Sequence, residues 1–312
     1  MTLSTAILIF FVTSVSLLTS SCGTDSDAFY YAALGLNKGA IIVASNTGVT
    51  SYIVVKYSIE GEFEQVLYDS TTLGLIPRGL ALYDAFNILV NFDGVDSISK
   101  LNIFSGSVSS FHTGALYNGN LFHIAHQGDV TYAIESNNIE RFNGSDRFPS
   151  SGNAYIPTTL GLCTINTARG VAINNAGELL VASLTNTRIL RYNVSTTTPT
   201  CLTSNASFGT NQPIAIMSHS NGKLYFATQT TADSIFSGPE NLSSTPTALV
   251  TNGIINNPSA LAEMPDGSIL VANDGTYNID LIDPDTGATI QSPFIKDSFT
   301  SFVTDIMVIQ PQ

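Results

Sequence analysis

Apolar and polar positions along this chain change over in short runs, with no stretch holding a helical period for long. The unit is clearest at Arg169–Ser183 and Pro258–Asn273, where an apolar strand, a glycine-containing turn and a second strand ending in Val-Ala follow one another. The second half of that pattern returns at Gly39–Ala44, Asn87–Asn91, Gly128–Ala133 and Gly222–Ala227. Ala44, Asn91, Ala133, Ala182, Ala227 and Ala272 then align at intervals of about 45 residues. A third strand follows at Ile53–Tyr57, Ile98–Leu101, Ile139–Phe142, Ile189–Tyr192 and Ile279–Ile282, and is degenerate in the fifth unit at Ser234–Ser237. A weaker fourth strand is clearest at Phe63–Tyr68. Four short strands per unit, with turn residues between them, is the period of a propeller blade, and six units predict an all-β, six-bladed propeller. The ends agree with this. No strand precedes Gly39 to match those at Arg78–Leu82 or Arg169–Ile173, while Phe302–Ile309 is such a strand with nothing after it. Closing the first blade with the last strand leaves no unpaired edge.

The residues Arg169–Ile173, Gly177–Ala182 and Arg188–Tyr192 together resemble an NHL repeat, and the sixth unit does so equally. Propellers of that kind include adhesion modules, protein-binding platforms, lactonases of the SMP-30/gluconolactonase type and lyases. The resemblance implies the fold and leaves the function open.

The longest apolar run stands apart from these units. Ala6–Leu18 is too short to span a bilayer, carries no charge, and is followed by Thr19, Ser20, Ser21 and Cys22. It reads as a signal peptide, and the small residues before Cys22-Gly23 resemble a bacterial lipobox, although Leu18 lies one place further from the cysteine than usual. Ordinary cleavage after Ser21 is the alternative. The expected organisation is therefore a signal peptide over 1–21, a lipid-anchor tether over 22–35 rooted at Cys22, and the propeller over 36–312. The expected location is the cell envelope, anchored to a bacterial membrane and facing the periplasm or the surface, with secretion as the alternative.

Charge narrows the partners. Lys and Arg number 11 against 24 Asp and Glu, for a formal net charge of −13, which argues against nucleic acid. With Cys22 lipidated, Cys163 and Cys201 remain in an oxidising compartment, either bridged or as two buried thiols. The two were expected at similar places in successive repeats.

Candidate chemistry sits where repeats differ. Lys56, Lys100, Arg141 and Arg191 recur at one third-strand position and read as scaffold. Arg78 and Arg169 precede inner strands in two units only; Asp305 marks the closing strand, and His123 is expected where other units have Ala81, Ala172, Ala215 and Ala262. These four are the candidate ligand-binding set, either holding an anionic group, which guanidinium forks suit, or pairing among themselves to cap the channel. Asp93, Asp96, Glu135, Asn273 and Asp274 follow second strands and could hold Ca²⁺ on the axis, as the lactonase resemblance implies, although that family's complete Glu/Asn/Asn/Asp set has no match. His126 is expected to pack within its blade, and Asp283–Gly287 to form a hairpin turn. The leading expectation is a monomeric, non-catalytic scaffold for a protein or glycan partner. The alternative is a Ca²⁺-dependent lactonase, other hydrolase or lyase acting on a small molecule at the channel mouth.

Overall fold

The computed structural model describes residues 38–47, 51–70, 75–93, 97–113, 121–149, 153–204, 208–229, 233–251, 253 and 255–311. The expected signal peptide, the tether with Cys22, and Asp96 lie outside them. Six four-stranded antiparallel sheets form the blades. Their inner strands are Val303–Ile309, Ile76–Leu82, Leu121–Gln127, Ala168–Ile173, Gln212–Ser218 and Pro258–Glu263, for the first to sixth blades in turn. The first blade is built from both ends of the chain: Val303–Ile309 pairs with Ala40–Asn46, placing Ile309 opposite Ala40 and Asp305 opposite Ala44. The degenerate fifth unit still makes a full third strand, Ser234–Pro239. Among the described residues no helix is long and apolar enough to cross a membrane.

Second strands are apolar on both faces because each is sandwiched between neighbouring blades. Ala40, Ile41, Ile42, Val43 and Ala44 are all fully buried. Even residues face one neighbour and odd residues the other, as a two-residue period requires. The core is consequently six apolar clusters, one at each blade interface. One of them joins Ile41 and Val43 of the first blade to Leu270 and Ala272 of the sixth, which closes the ring.

The recurring third-strand cations lie in these walls, away from the axis. Lys56 pairs with Glu64 at 2.9 Å, and Arg191 lies 3.3 Å from Glu178. The Lys100 ammonium sits 4.1 Å from the ring centre of Tyr83, and the Arg141 guanidinium 5.1 Å from that of Tyr155. Such contacts let a long charged side chain cover apolar surface while its head stays polar.

Two sequence alignments need correction. In the third blade Ile139 pairs with Ile134 as Ile189 pairs with Ala182, so Ile134, not Ala133, holds the recurring second-strand position. Cys163 and Cys201 form a disulfide but do not occupy equivalent places. Cys201 is in the outer strand Thr200–Ser204 of the fourth blade, whereas Cys163 is in a small extra hairpin, Thr159–Leu160 with Cys163–Thr164, between the third and fourth blades. The Asp283–Gly287 segment is the expected turn, its Asp283 carboxylate accepting from the Asp285 and Thr286 amides.

Candidate functional site at the channel mouth

Every inner strand carries a β-bulge near its start. The ladder skips Thr304, Arg78, Arg169, Ile214 and Ser259 in five blades, and both Phe122 and His123 in the third. A bulge re-aims the residue it frees. Repeated around a ring, it delivers one side chain per blade to the same place: all seven of these residues line one cavity of about 270 Å³, with Gln229, Asn257, Asp274 and Val303 completing the wall. A second cavity is lined by Leu80, Ile124, Ile216 and Leu261 together with His126, Gln127 and Ser218, and by no charged Asp, Glu, Lys or Arg side chain.

The residue after each bulge forms a second ring. It is Asp305, Gly79, Gly170, Ala215 and Ala260 in five blades, and His123, which follows Phe122, in the third. His123 thus corresponds to Ala215 but not to Ala81, Ala172 or Ala262, which lie two residues further along their strands. This shift matters for the chemistry. Asp305 and His123 belong to the first and third blades, with Gly79 of the second between them, and His123 Nε2 stands 3.1 Å from Asp305 Oδ1. A Cβ on Gly79 would come within 2.9 Å of the His123 Cα and 2.7 Å of Asn91 Oδ1, so only glycine leaves room for the pair to meet. Asp305 is 2 % exposed, and its carboxyl group also accepts the Leu80 and Ile306 amides. Burial is the largest influence on His123 and pulls its pKa down, but the charge of Asp305 and the contact with it outweigh that, leaving the pKa raised.

The arginines differ from one another. Arg78 lies against Asp93 through Nε and Nη2, at 3.1 and 2.9 Å. Arg169 makes no ion pair with a carboxylate among the described residues; its guanidinium lies 4.0 Å from the centre of the Phe122 ring. Burial, and then the charge of Arg78, lower the Arg169 pKa, with Asp93 acting the other way. Neither arginine pairs with Asp305. Across the cavity, burial pushes Asp274 up to about 6, against hydrogen bonds from Ser259 Oγ and the Val303 amide.

The oxygen donors considered for Ca²⁺ are held apart. Asp93 is engaged by Arg78, Asn273 by Asp280 and the Asn256 amide, and Glu135 is buried at the end of its strand, so only Asp274 lines the cavity. Among the described residues no three His, Cys, Asp or Glu side chains gather as metal ligands. The described members of the set, Asp93, Glu135, Asn273 and Asp274, do not come together as a calcium centre. His126 packs within its region, with Nδ1 2.8 Å from Thr131 Oγ1 and its ring 5.1 Å from that of Tyr83.

Sequence reasoning passed over Phe122, Ser259, Thr304 and Gly79. A faint signal was present: Pro77-Arg78-Gly79, Ala168-Arg169-Gly170, Pro213-Ile214-Ala215 and Pro258-Ser259-Ala260 share a Pro or Ala, a variable residue, then Gly or Ala.

No known sequence family matches the chain, and no curated protein matches it in sequence. Solved structures do match in shape. A chain of a nidogen/laminin complex aligns with a TM-score of 0.67 at 13% identity, over 88% of this chain and 99% of that one. A candidate 6-phosphogluconolactonase from Bacteroides uniformis gives 0.60 at 12%, over 87% and 99%. A catalytically inactive virginiamycin B lyase from Staphylococcus aureus, solved with quinupristin, gives 0.54 at 16%, over 69% of each chain. The chain has the six-bladed propeller fold. At these identities the likeness carries the fold alone, and that fold serves binding modules and enzymes alike.

Proposed function

We propose that this propeller is an enzyme, a hydrolase or lyase acting on a small anionic molecule at the channel mouth. The observation that carries this reading is the His123–Asp305 pair, which meets across Gly79 in the cavity that also holds Arg169, a guanidinium with no acid against it among the described residues. Asp305 stands against Nε2 of the imidazole, and its negative charge raises the His123 pKa and favours the protonated ring. His123 then serves as general acid and, once deprotonated, as general base. Arg169 and Arg78 hold the anionic group or stabilise negative charge that develops on an oxygen, in a cavity where partial burial strengthens the attraction. Asp274, titrating near 6, is a second proton-carrying group on the opposite wall. The general likeness to lactonase and lyase folds supports the enzymatic side of the two expectations.

The test is turnover of a panel of γ- and δ-lactones and carboxylate-bearing esters by the purified domain. His123→Ala should lower the rate about 10²- to 10⁴-fold, the usual contribution of a positioned acid–base group. Asp305→Asn should move the His-dependent limb of the pH profile downward, because the charge that raises the His123 pKa is gone. Unchanged turnover in His123→Ala would remove it from the mechanism. Failure of the wild-type domain either to turn over or to bind any compound of the panel would overturn the enzymatic reading itself.

We also propose that the enzyme works outside the cytoplasm, held to a membrane by lipid on Cys22, on the strength of the apolar run and the small residues before that cysteine. Intact mass of protein from a membrane fraction should show a lipid-modified Cys22 at the mature N-terminus, and Cys22→Ala should be soluble. An unlipidated wild-type N-terminus would leave ordinary secretion in its place.

A further inference from the structure

Two exposed aromatic rings stand beside this cavity. Tyr277, in the loop that follows Asp274, is 46% exposed, and Phe302, immediately before Val303, is 45% exposed. Both Asp274 and Val303 are walls of the cavity. The rings touch edge to face, with centroids 5.2 Å apart and planes at 74°. Each sits on a backbone that its residue type disfavours, with φ of 55° at Tyr277 and 118° at Phe302. Those conformations are fixed from below. The Phe302 carbonyl accepts the Asn46 amide at 2.9 Å, and the Tyr277 carbonyl accepts Thr300 Oγ1 at 3.0 Å. Neither ring is buried in a blade interface, so no core packing offsets the strain. Positive φ recurs at the equivalent turn positions Thr187, Thr167 and Asn257, so the turns belong to the blade repeat; what is particular here is that these two carry aromatic rings, an apolar, quadrupolar face at the edge of the cavity that holds Arg78 and Arg169.

Resting on the reading of the mouth as a site for small anions, we propose that its substrates are aromatic: an acidic or ester-bearing molecule whose planar ring packs on Tyr277 and Phe302 while its charged or carbonyl end reaches Arg78 and Arg169. Edge-to-face and offset-stacked contacts favour a flat aromatic ring over an aliphatic chain of the same charge. The subsite lies on the first- and sixth-blade side of the mouth, across from Arg169 of the fourth blade.

Calorimetric titration with three monocarboxylates separates the two ideas: 3-phenylpropionate, hexanoate and gluconate. The phenyl acid should bind about tenfold more tightly than hexanoate, a difference of about 1.4 kcal/mol. In the Phe302→Gly, Tyr277→Asn double variant, whose residues tolerate the observed φ, that preference should vanish while hexanoate affinity stays as in the wild type. Equal binding of the phenyl acid and hexanoate, a preference for gluconate, or a phenyl preference that survives in the variant would overturn the aromatic subsite and leave the anion site standing. Absence of binding by all three acids would overturn both.

Discussion

Removal of residues 303–312 should leave a chain that neither unfolds cooperatively nor stays monomeric. The closing strand is hydrogen-bonded along Ala40–Asn46 and buries Val303, Ile306 and Ile309. Without it, a fully apolar second strand becomes a sheet edge, which is a template for pairing with other chains. The loss also opens the cluster that joins the first and sixth blades, because Val303 and Ile306 belong to it together with Ile41 and Leu270. A ring has no spare interface with which to absorb such a gap. Calorimetry and size-exclusion chromatography decide the matter: aggregates, or a broad transition of low enthalpy, are expected. A soluble monomer melting as the intact domain does would mean that ring closure contributes little to the fold.

The second large effect concerns the disulfide. Cys163 and Cys201 are 38 residues apart in sequence, and a cross-link over such a loop restricts the unfolded chain enough to contribute about 4 kcal/mol on the chain-entropy account. The pair Cys163→Ala with Cys201→Ala should therefore unfold at a temperature lower by roughly 10 °C. The location makes the loss local as well as global. The bridge ties the extra hairpin Thr159–Leu160/Cys163–Thr164 to the outer strand of the fourth blade, and that hairpin is a two-stranded sheet of its own. Melting curves with and without reductant check this, since reduced wild type should approach the double variant. Two titratable thiols in protein purified under oxidising conditions would show that the bridge does not form.

The fold was legible because its signal is repeated. Six near-copies of one strand pattern reinforce one another, so even the degenerate unit at Ser234 falls into place once its neighbours are aligned. The candidate site was legible only in part, for a reason that lies in the bulges. A bulge adds a residue to a strand without altering its composition, and in the third blade it sets Phe122 and His123 together against Ile134. His123 was consequently set against Ala81, Ala172 and Ala262 when its true counterparts are Gly79, Gly170, Ala215, Ala260 and Asp305. Arg78 and Arg169 stood out because charge is scarce in this chain and these two do not recur. Closure of the ring by the last strand was legible, but the contact of His123 with Asp305 in particular was not, since it depends on the bulge register and on Gly79 in the blade between them. Tyr277 and Phe302 were hidden for the opposite reason: among 12 Tyr and 17 Phe, nothing marks two of them as strained and exposed.

The origin of Asp305 sets the order in which this protein can become competent. It is contributed by the final strand, yet it bonds to Leu80 and His123, residues made far earlier in synthesis. A chain still on the ribosome holds His123 before the carboxylate that raises its pKa has been made. The pair at the channel mouth is therefore completed in the same event that closes the ring, and a chain that has not finished folding has the imidazole without its partner.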